Sequence, residues 1–283
     1  MQTSIRNIRN GTRATARNGA FLSIEEMRNV APAIFAESAH ESRSQRYGFV
    51  PTAHLLDGLM AEGFQPVSVQ QASSRTEGKE TAGKHLIRFR HAGTHQVGDV
   101  FPEVVLLNSH DGSSSYQLMT GLFRLVCLNG LIACEGETDS IKVPHKANAL
   151  HSVIEGSYSI IEKAPAVIES VKEMQSVNLT EGERAAFGRA ALALRYENPE
   201  EAPIGEHRLD NARRREDAGP DLWRTLNRTQ ENLIRGGLRG YRLDENGRQR
   251  TTTTREIKGI DQTVSLNRGL WVLAEEMRKL KAA

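Results

Sequence analysis

Only two cysteines, Cys127 and Cys134, occur in the 283 residues of this chain. That is too few for a disulfide scaffold or for a zinc site built from cysteine alone. Cys127 sits in an apolar run and reads as a buried structural thiol, so a reducing, cytoplasmic setting is expected. Long hydrophobic runs are missing as well: none approaches the roughly 18 to 20 residues needed to span a bilayer. The start, MQTSIRNIRNGTRATARNGAF, has no apolar stretch of the kind a secretory signal requires. HExxH, paired CxxC and EF-hand spacings are absent, and so are a GxSxG elbow and the glycine-rich phosphate loops GxxxxGK and GxGxxG. These absences disfavour a nucleotide-driven enzyme, and no cofactor is expected. Aromatic residues are scarce, at 5%.

Arginine is present in quantity and unevenly spread. The formal net charge is only +2. Yet the first 21 residues carry Arg6, Arg9, Arg13 and Arg17 with no acid, and 235–258 holds seven basic residues against three acidic ones. Such segments either contact phosphate or form a solvated charged surface.

Along the chain, residues 1–20 lack periodicity and read as a disordered basic arm. Ser23 with Glu26 has the spacing of a capping box and opens a short helix. Thr52 reads as the cap of a helix through Glu62, with Leu55, Leu56, Leu59 and Met60 as its buried stripe. From Phe64 the pattern turns to strands. In KHLIRFRH, His85, Ile87 and Phe89 alternate with Lys84, Leu86, Arg88 and Arg90, which predicts a sheet with one wet, positively charged face. Val104 to Leu107, the polar turn from Asn108 to Gly112, and the apolar run from Tyr116 predict a hairpin that closes on Asn129-Gly130. Ser140 to Val143 reads as a further strand.

Helices follow: about 147–177, interrupted near Pro165; a second capping box at Thr180 and Glu183; and a helix capped by Asp221 and stopped by Gly236-Gly237. A last helix starts near Ser265. The fold class is therefore α+β, an antiparallel meander of four to five strands flanked by helices, with a helical C-terminal half. The expected organisation is a basic arm at 1–20, a core domain at 21–196, a linker or long exposed connection at 197–220, and a helical region with a basic loop at 221–283.

Several clusters invite a chemical reading. His110-Asp111, Cys134-Glu135 and His145 offer metal-ligand types without metal-site spacing, and Asp before Gly is also what a tight turn needs. Nucleic-acid binding accounts for more residues. Arg43, Arg46 and Tyr47 sit in one loop and Arg88 and Arg90 on one strand, combining cations that follow a backbone with a ring that stacks on bases. Asn108, His110 and Ser113 add polar groups suited to phosphate or sugar. Arg124, Lys146, Arg239 and Lys258 complete the candidate set, with Arg124 also suited to capping buried carbonyls.

The segments HESRSQRYGFVPT, GFQPVSVQQ, KHLIRFR, PEVVLLNSHDGSSSYQLMTGLFRLVCLNGLI, VPHKAN, QENLIRGG and REIKGID with LNRGLWVLAE resemble a prophage- and plasmid-encoded family of unknown function that includes YfjQ and YafZ. The resemblance runs from about residue 21 onward. It implies residence on mobile elements, often near antirestriction genes, and no activity or catalytic residue to carry over. The order of helix, meander and helix is also similar, at the level of topology alone, to phage single-strand annealing proteins. The expected function is a DNA-binding accessory protein of a mobile element that engages single-stranded DNA. The alternatives are an anti-defence protein that binds a host protein and a metal-dependent nuclease using His110, Asp111 and His145. Expected partners are nucleic acid, a host protein in the alternative, and further copies of the chain, with no membrane.

Overall fold

The computed structural model describes residues 4–8, 11–16, 20–43, 47–72, 80–98, 100–124, 129–133 and 140–282. Arg46, Cys127, Cys134 and the Cys134-Glu135 pair lie outside them. The chain divides into two compact units, one comprising Met1–Pro165 with Lys258–Ile260, the other Ala166–Ile257 with Asp261–Ala283.

The first unit is built on an antiparallel meander. Its strands are β1 (Ser4–Ile8), β2 (Gly11–Thr15), β3 (Phe64–Ala72), β4 (His85–His91), β5 (Val100–Asn108), β6 (Tyr116–Arg124) and β7 (Asn129–Ala133), each hydrogen-bonded to the next. An eighth strand, β8 (Ile141–Val143), pairs with β6. β6 shares one edge between two partners: Thr120 to Arg124 face β7, and Tyr116 to Leu118 face β8. The sheet is wider than four or five strands, because the basic N-terminal segment is no disordered arm. Gly11 to Thr15 pair with Ala72 to Ser68 of β3, and the buried small side chains Ala14 and Ala16 alternate with exposed Arg13.

Helices α1 (Ile24–Val30) and α2 (Thr52–Ala61) and the N-terminal part of α3 (Ala149–Ser176) cover one face. Its core comprises Val69, Ile87, Phe89, Val104, Leu106 and Leu118 packed with Met27, Leu55, Leu56, Leu59 and Val153. The capping box at Ser23 and Glu26 is formed on both sides. Thr52, in contrast, does not cap α2. Pro51 occupies the cap position with extended backbone, and Thr52 is the first helical residue, fully buried. α3 continues through Pro165 as one helix.

In the second unit, α4 (Glu181–Ala193) opens on the Thr180–Glu183 capping box, and α5 (Leu222–Arg235) is capped by Asp221 and stopped at Gly236. α5 is buried almost all round, polar residues included: Thr225, Asn227, Arg228, Gln230, Glu231 and Asn232 are each at most 3% exposed. The 197–220 stretch accounts for part of this, although more than half of its residues remain exposed. It folds into three single 3₁₀ turns and supplies partners: Asp210 takes both Nε and Nη2 of Arg228, Arg214 bridges Asp217 and Glu231, and Arg213 reaches Asn232. Buried polar side chains need such partners. The basic 238–263 region is likewise ordered, as a hairpin of β9 (Arg239–Leu243) and β10 (Gln249–Thr253) ahead of α6 (Ile260–Ala282).

Candidate functional site

At one end of the first unit's sheet, the start of β4, the end of β5 with its turn, the start of β6, the second residue after β8 and the first turn of α2 bring six polar side chains together. The Thr52 hydroxyl is their hub. Its Oγ1 lies 2.9 Å from His85 Nε2, 3.0 Å from His110 Nε2, 3.0 Å from Asn108 Nδ2 and 3.3 Å from the Tyr116 hydroxyl. A hydroxyl offers one proton and two lone pairs, and this settles the assignment of protons. His85 Nδ1 donates to the Gly83 carbonyl, so its Nε2 is bare and takes the Thr52 proton. The Asn108 amide fills one lone pair, and His110 Nε2–H fills the other. Tyr116 gives its own proton to the Val50 carbonyl, 2.8 Å away. His110 Nδ1 is then a bare acceptor, buried and without a protein partner.

The network continues outward. His145 Nε2 donates to Asn108 Oδ1 at 2.9 Å, and its Nδ1 stands 3.0 Å from the Tyr47 hydroxyl. The Tyr116 ring stacks on the His145 imidazole at 4.6 Å between centroids, while Phe49 packs against His110 at 4.9 Å. Gly48 lets the loop approach, since a Cβ there would sit 2.6 Å from the His145 carbonyl oxygen. Burial holds the imidazoles neutral: it pushes His85 down to about 4 and His110 to about 3, the latter with help from its histidine neighbours. His145 is lowered by burial against the opposing pull of the Ser114 carbonyl. The Tyr116 and Tyr47 phenols are pushed up, again by burial first.

Replacing Thr52 by valine keeps the shape and deletes the hub, stranding the Asn108 and His110 donors and the His85 acceptor. Each buried group left unpaired costs roughly 1–3 kcal/mol. Thr52→Val is expected to lose at least about 3 kcal/mol in urea unfolding, and Thr52→Ser to keep most of that stability. A valine variant as stable as the parent would contradict the hub.

Three histidines gather here, but hydroxyl and amide groups engage their Nε2 atoms. Asp111 Oδ1 accepts the Ser113 backbone N–H in the turn. Among the described residues, no group of three or more His, Cys, Asp or Glu is placed to hold a metal ion.

The candidate residues read from the sequence fall into separate places. Arg43, Tyr47, Asn108, His110, Ser113 and Lys146 collect at this end of the sheet. Arg43 is exposed, with its guanidinium packed against Gly112, whose φ of 78° belongs to the turn. Ser113 and Lys146 are exposed and Tyr47 is half-buried. Asn108 and His110 are fully buried, so they belong to the internal network and not to a phosphate-contacting surface.

The strand face expected to be wet and cationic is neither. Arg88 is buried, with Nε 2.5 Å from Glu103 Oε2 and Nη2 on the carbonyls of Leu122 and Leu131. Arg90 pairs with Glu103 Oε1 at 2.9 Å and lies over the Phe101 and Phe123 rings. Glu103 is wholly buried and sits between the two cations. Gly121 and Gly130 make the seat, because a Cβ at either would meet the Arg88 guanidinium. Arg124 is buried as well. Lys258 is half-buried, and its carbonyl accepts from Gln70 Nε2 at 3.2 Å.

Arg239 belongs to the second unit, on the β9–β10 hairpin. Alternation along β9 puts Arg239, Tyr241 and Leu243 on one face. Tyr241 and Leu243 are 61% and 70% exposed. Arg242 and Arg250 are directly paired on the other face, and Arg250 also binds Asp244. Beside Tyr241 opens a cavity of about 490 Å³ lined by His207, Arg208, Arg239 and Thr251 among others. The Nε of Arg208 is buried without a partner. The sequence reading missed Thr52, Glu103, Arg208 and Tyr241 as site residues. Only Tyr241 carried a legible signal, an aromatic among arginines.

Residues 39–271 match the family model described as Domain of unknown function (DUF932). The chain belongs to this family. It is 43% identical over 256 residues to two proteins of Escherichia coli (strain K12), UPF0380 protein YafZ and UPF0380 protein YfjQ, covering 90% of this chain and 91% of each of them. No solved structure matches. The family match takes in both the histidine network and the β9–β10 hairpin. Among the described residues no helix is long and apolar enough to cross a membrane.

Proposed function

We propose that this chain is a DNA-binding accessory protein of a mobile genetic element that engages single-stranded DNA. The observation that carries the reading is the β9–β10 hairpin, where a largely exposed Tyr241 lines one cavity together with Arg208 and Arg239. A ring open to solvent and flanked by guanidinium groups suits single strands, whose bases stack while cations track the backbone. Arg43 and Lys146 add exposed cations in the first unit. The mobile-element setting rests on the resemblance of the sequence segments alone.

Fluorescence anisotropy with a labelled oligonucleotide at low and moderate salt tests this. Affinity is expected to fall with salt, because each neutralised phosphate releases counterions, with a log–log slope of about −0.7 per contact for a single strand. Tyr241→Ala is expected to weaken binding by about 1–3 kcal/mol at fixed salt, and the Arg239→Ala, Arg242→Ala double variant to flatten the slope. Absence of salt-dependent binding would sink the proposal. The exposed Leu243 beside Tyr241 favours one rival, a host-protein partner. A protein retained by the chain after nuclease treatment, and lost in Leu243→Ser, supports that rival.

A further inference from the structure

Tyr47, His145 and Asn108 form a line whose order matters. Asn108 is fixed from within, its Nδ2 donating to Thr52 Oγ1 at 3.0 Å. Its Oδ1 takes the His145 Nε2 proton at 2.9 Å. That bond selects the tautomer with a bare Nδ1, and the bare nitrogen faces the Tyr47 hydroxyl at 3.0 Å. The Tyr116 ring, stacked on the imidazole, removes the remaining freedom of rotation. A hydroxyl, a base within hydrogen-bond reach and a third group orienting the base are the arrangement that activates a nucleophile. Here the hydroxyl is phenolic and half-buried, at the mouth of a buried network. Arg43 is close enough to act electrostatically on Tyr47, and exposed Lys146 directly follows His145 in the chain. A cation beside the hydroxyl, with a second one residue along from its base, suits a phosphodiester, whose charge rises on attack.

We infer that Tyr47 is a nucleophile for a phosphodiester of single-stranded DNA, with His145 as its general base, Asn108 as the positioning residue, and Arg43 and Lys146 on the phosphoryl oxygens. This rests on the nucleic-acid reading above. Tyr47 Oη forms a bond to phosphorus as His145 Nδ1 takes the phenolic proton. The phosphorus–oxygen bond to one flanking sugar, opposite the incoming Tyr47 oxygen, breaks; that sugar oxygen takes a proton from water, and the imidazolium gives its own proton back to solvent. The products are a phosphotyrosyl–DNA ester and a free sugar hydroxyl. Attack by a sugar hydroxyl reverses the step, so no net oxidation, reduction or hydrolysis is involved.

The test uses the full chain, Mg²⁺ throughout, and labelled single-stranded oligonucleotides carrying bridging phosphorothiolates in either orientation. Their thiol leaving group does not re-attack, so the covalent product accumulates. Denaturing gels are expected to show a protein–DNA adduct whose tryptic peptide is modified at Tyr47. Tyr47→Phe is expected to abolish it, and His145→Gln to slow it by roughly 10²–10⁴-fold and to remove the dependence of the rate on imidazole deprotonation. Anisotropy on the same samples separates the two proposals. Binding without an adduct, or an adduct that persists in Tyr47→Phe, overturns the nucleophile and leaves the binding reading standing. Absence of binding removes both.

Discussion

Glu103→Ala is expected to destabilise the chain by about 3–5 kcal/mol, the cost of leaving buried charge without its counter-charge. Glu103 is fully buried and serves two guanidinium groups, one oxygen toward Arg88 and the other toward Arg90. Arg90 keeps some contact through the Phe101 and Phe123 rings, whereas Arg88 keeps only the Leu122 and Leu131 carbonyls. Arg88→Met alone should cost a similar amount. The double variant Arg88→Met, Glu103→Leu should recover much of the loss, since a buried ion pair is often replaceable by apolar packing of similar volume. Urea midpoints at constant m report all three. A Glu103→Ala variant within about 1 kcal/mol of the parent would mean that water reaches this pair. If oligonucleotide binding persists in the folded double variant, these strand arginines have no part in holding DNA.

Acid is expected to produce the second large effect. His85 and His110 resist protonation in the folded chain until the pH nears about 4 and about 3, while in the unfolded chain they take protons near 6.5. Between those limits the unfolded state binds more protons, so stability falls as the pH falls. Each histidine contributes up to about 1.4 kcal/mol per pH unit inside its window. The loss should start below about pH 6.5, ahead of any carboxylate such as Glu183 or Asp244, whose pKa values are lowered by hydrogen bonds from backbone N–H groups. Urea midpoints at about pH 7, 6 and 5 trace the slope, and imidazole proton shifts for His85 and His110 should stay flat over that range. Constant stability from pH 7 to pH 5 would contradict the buried, neutral pair.

The physical reasons for what the sequence disclosed, and for what it hid, are local against long-range. Capping boxes at Ser23 and Thr180, the Asp221 cap, the Gly236 stop and the Asp111-Gly112 turn all depend on residues within four positions of one another. All were legible. Arg88 and Glu103 are fifteen residues apart and meet only through strand register, which alternation alone does not reveal. Alternating arginines therefore read as a wet face. Thr52 stands where a cap would stand, and only the extended backbone of Pro51 shifts the helix start by one residue. Likewise the 197–220 stretch has the composition of an exposed connection because its charged side chains are matched by buried polar groups on α5. Beside its apolar stripe of Leu222, Leu226 and Leu233, α5 also buries arginine, glutamate and asparagine on its other faces, and nothing in their sequence pattern announces what covers them. The histidine network was half visible: His85 shares a strand face with Ile87 and Phe89, but its meeting with His110 and His145 is a property of the sheet.

The β9–β10 hairpin is tied at the middle of β9 and at its tip. Tyr241 N–H donates to the Pro203 carbonyl at 2.8 Å, and Asp244 Oδ1 accepts the backbone N–H groups of Asn246 and Arg248 around the turn. Its backbone therefore has little freedom left to surrender when a ligand arrives. The conformational part of the docking penalty then falls on side chains such as Tyr241 and the arginines, about 0.5–1.5 kcal/mol for each one immobilised. A strand of DNA laid on Tyr241 would meet a platform set before it came, and cutting either tie should show first as weaker binding and only afterwards as a loss of fold.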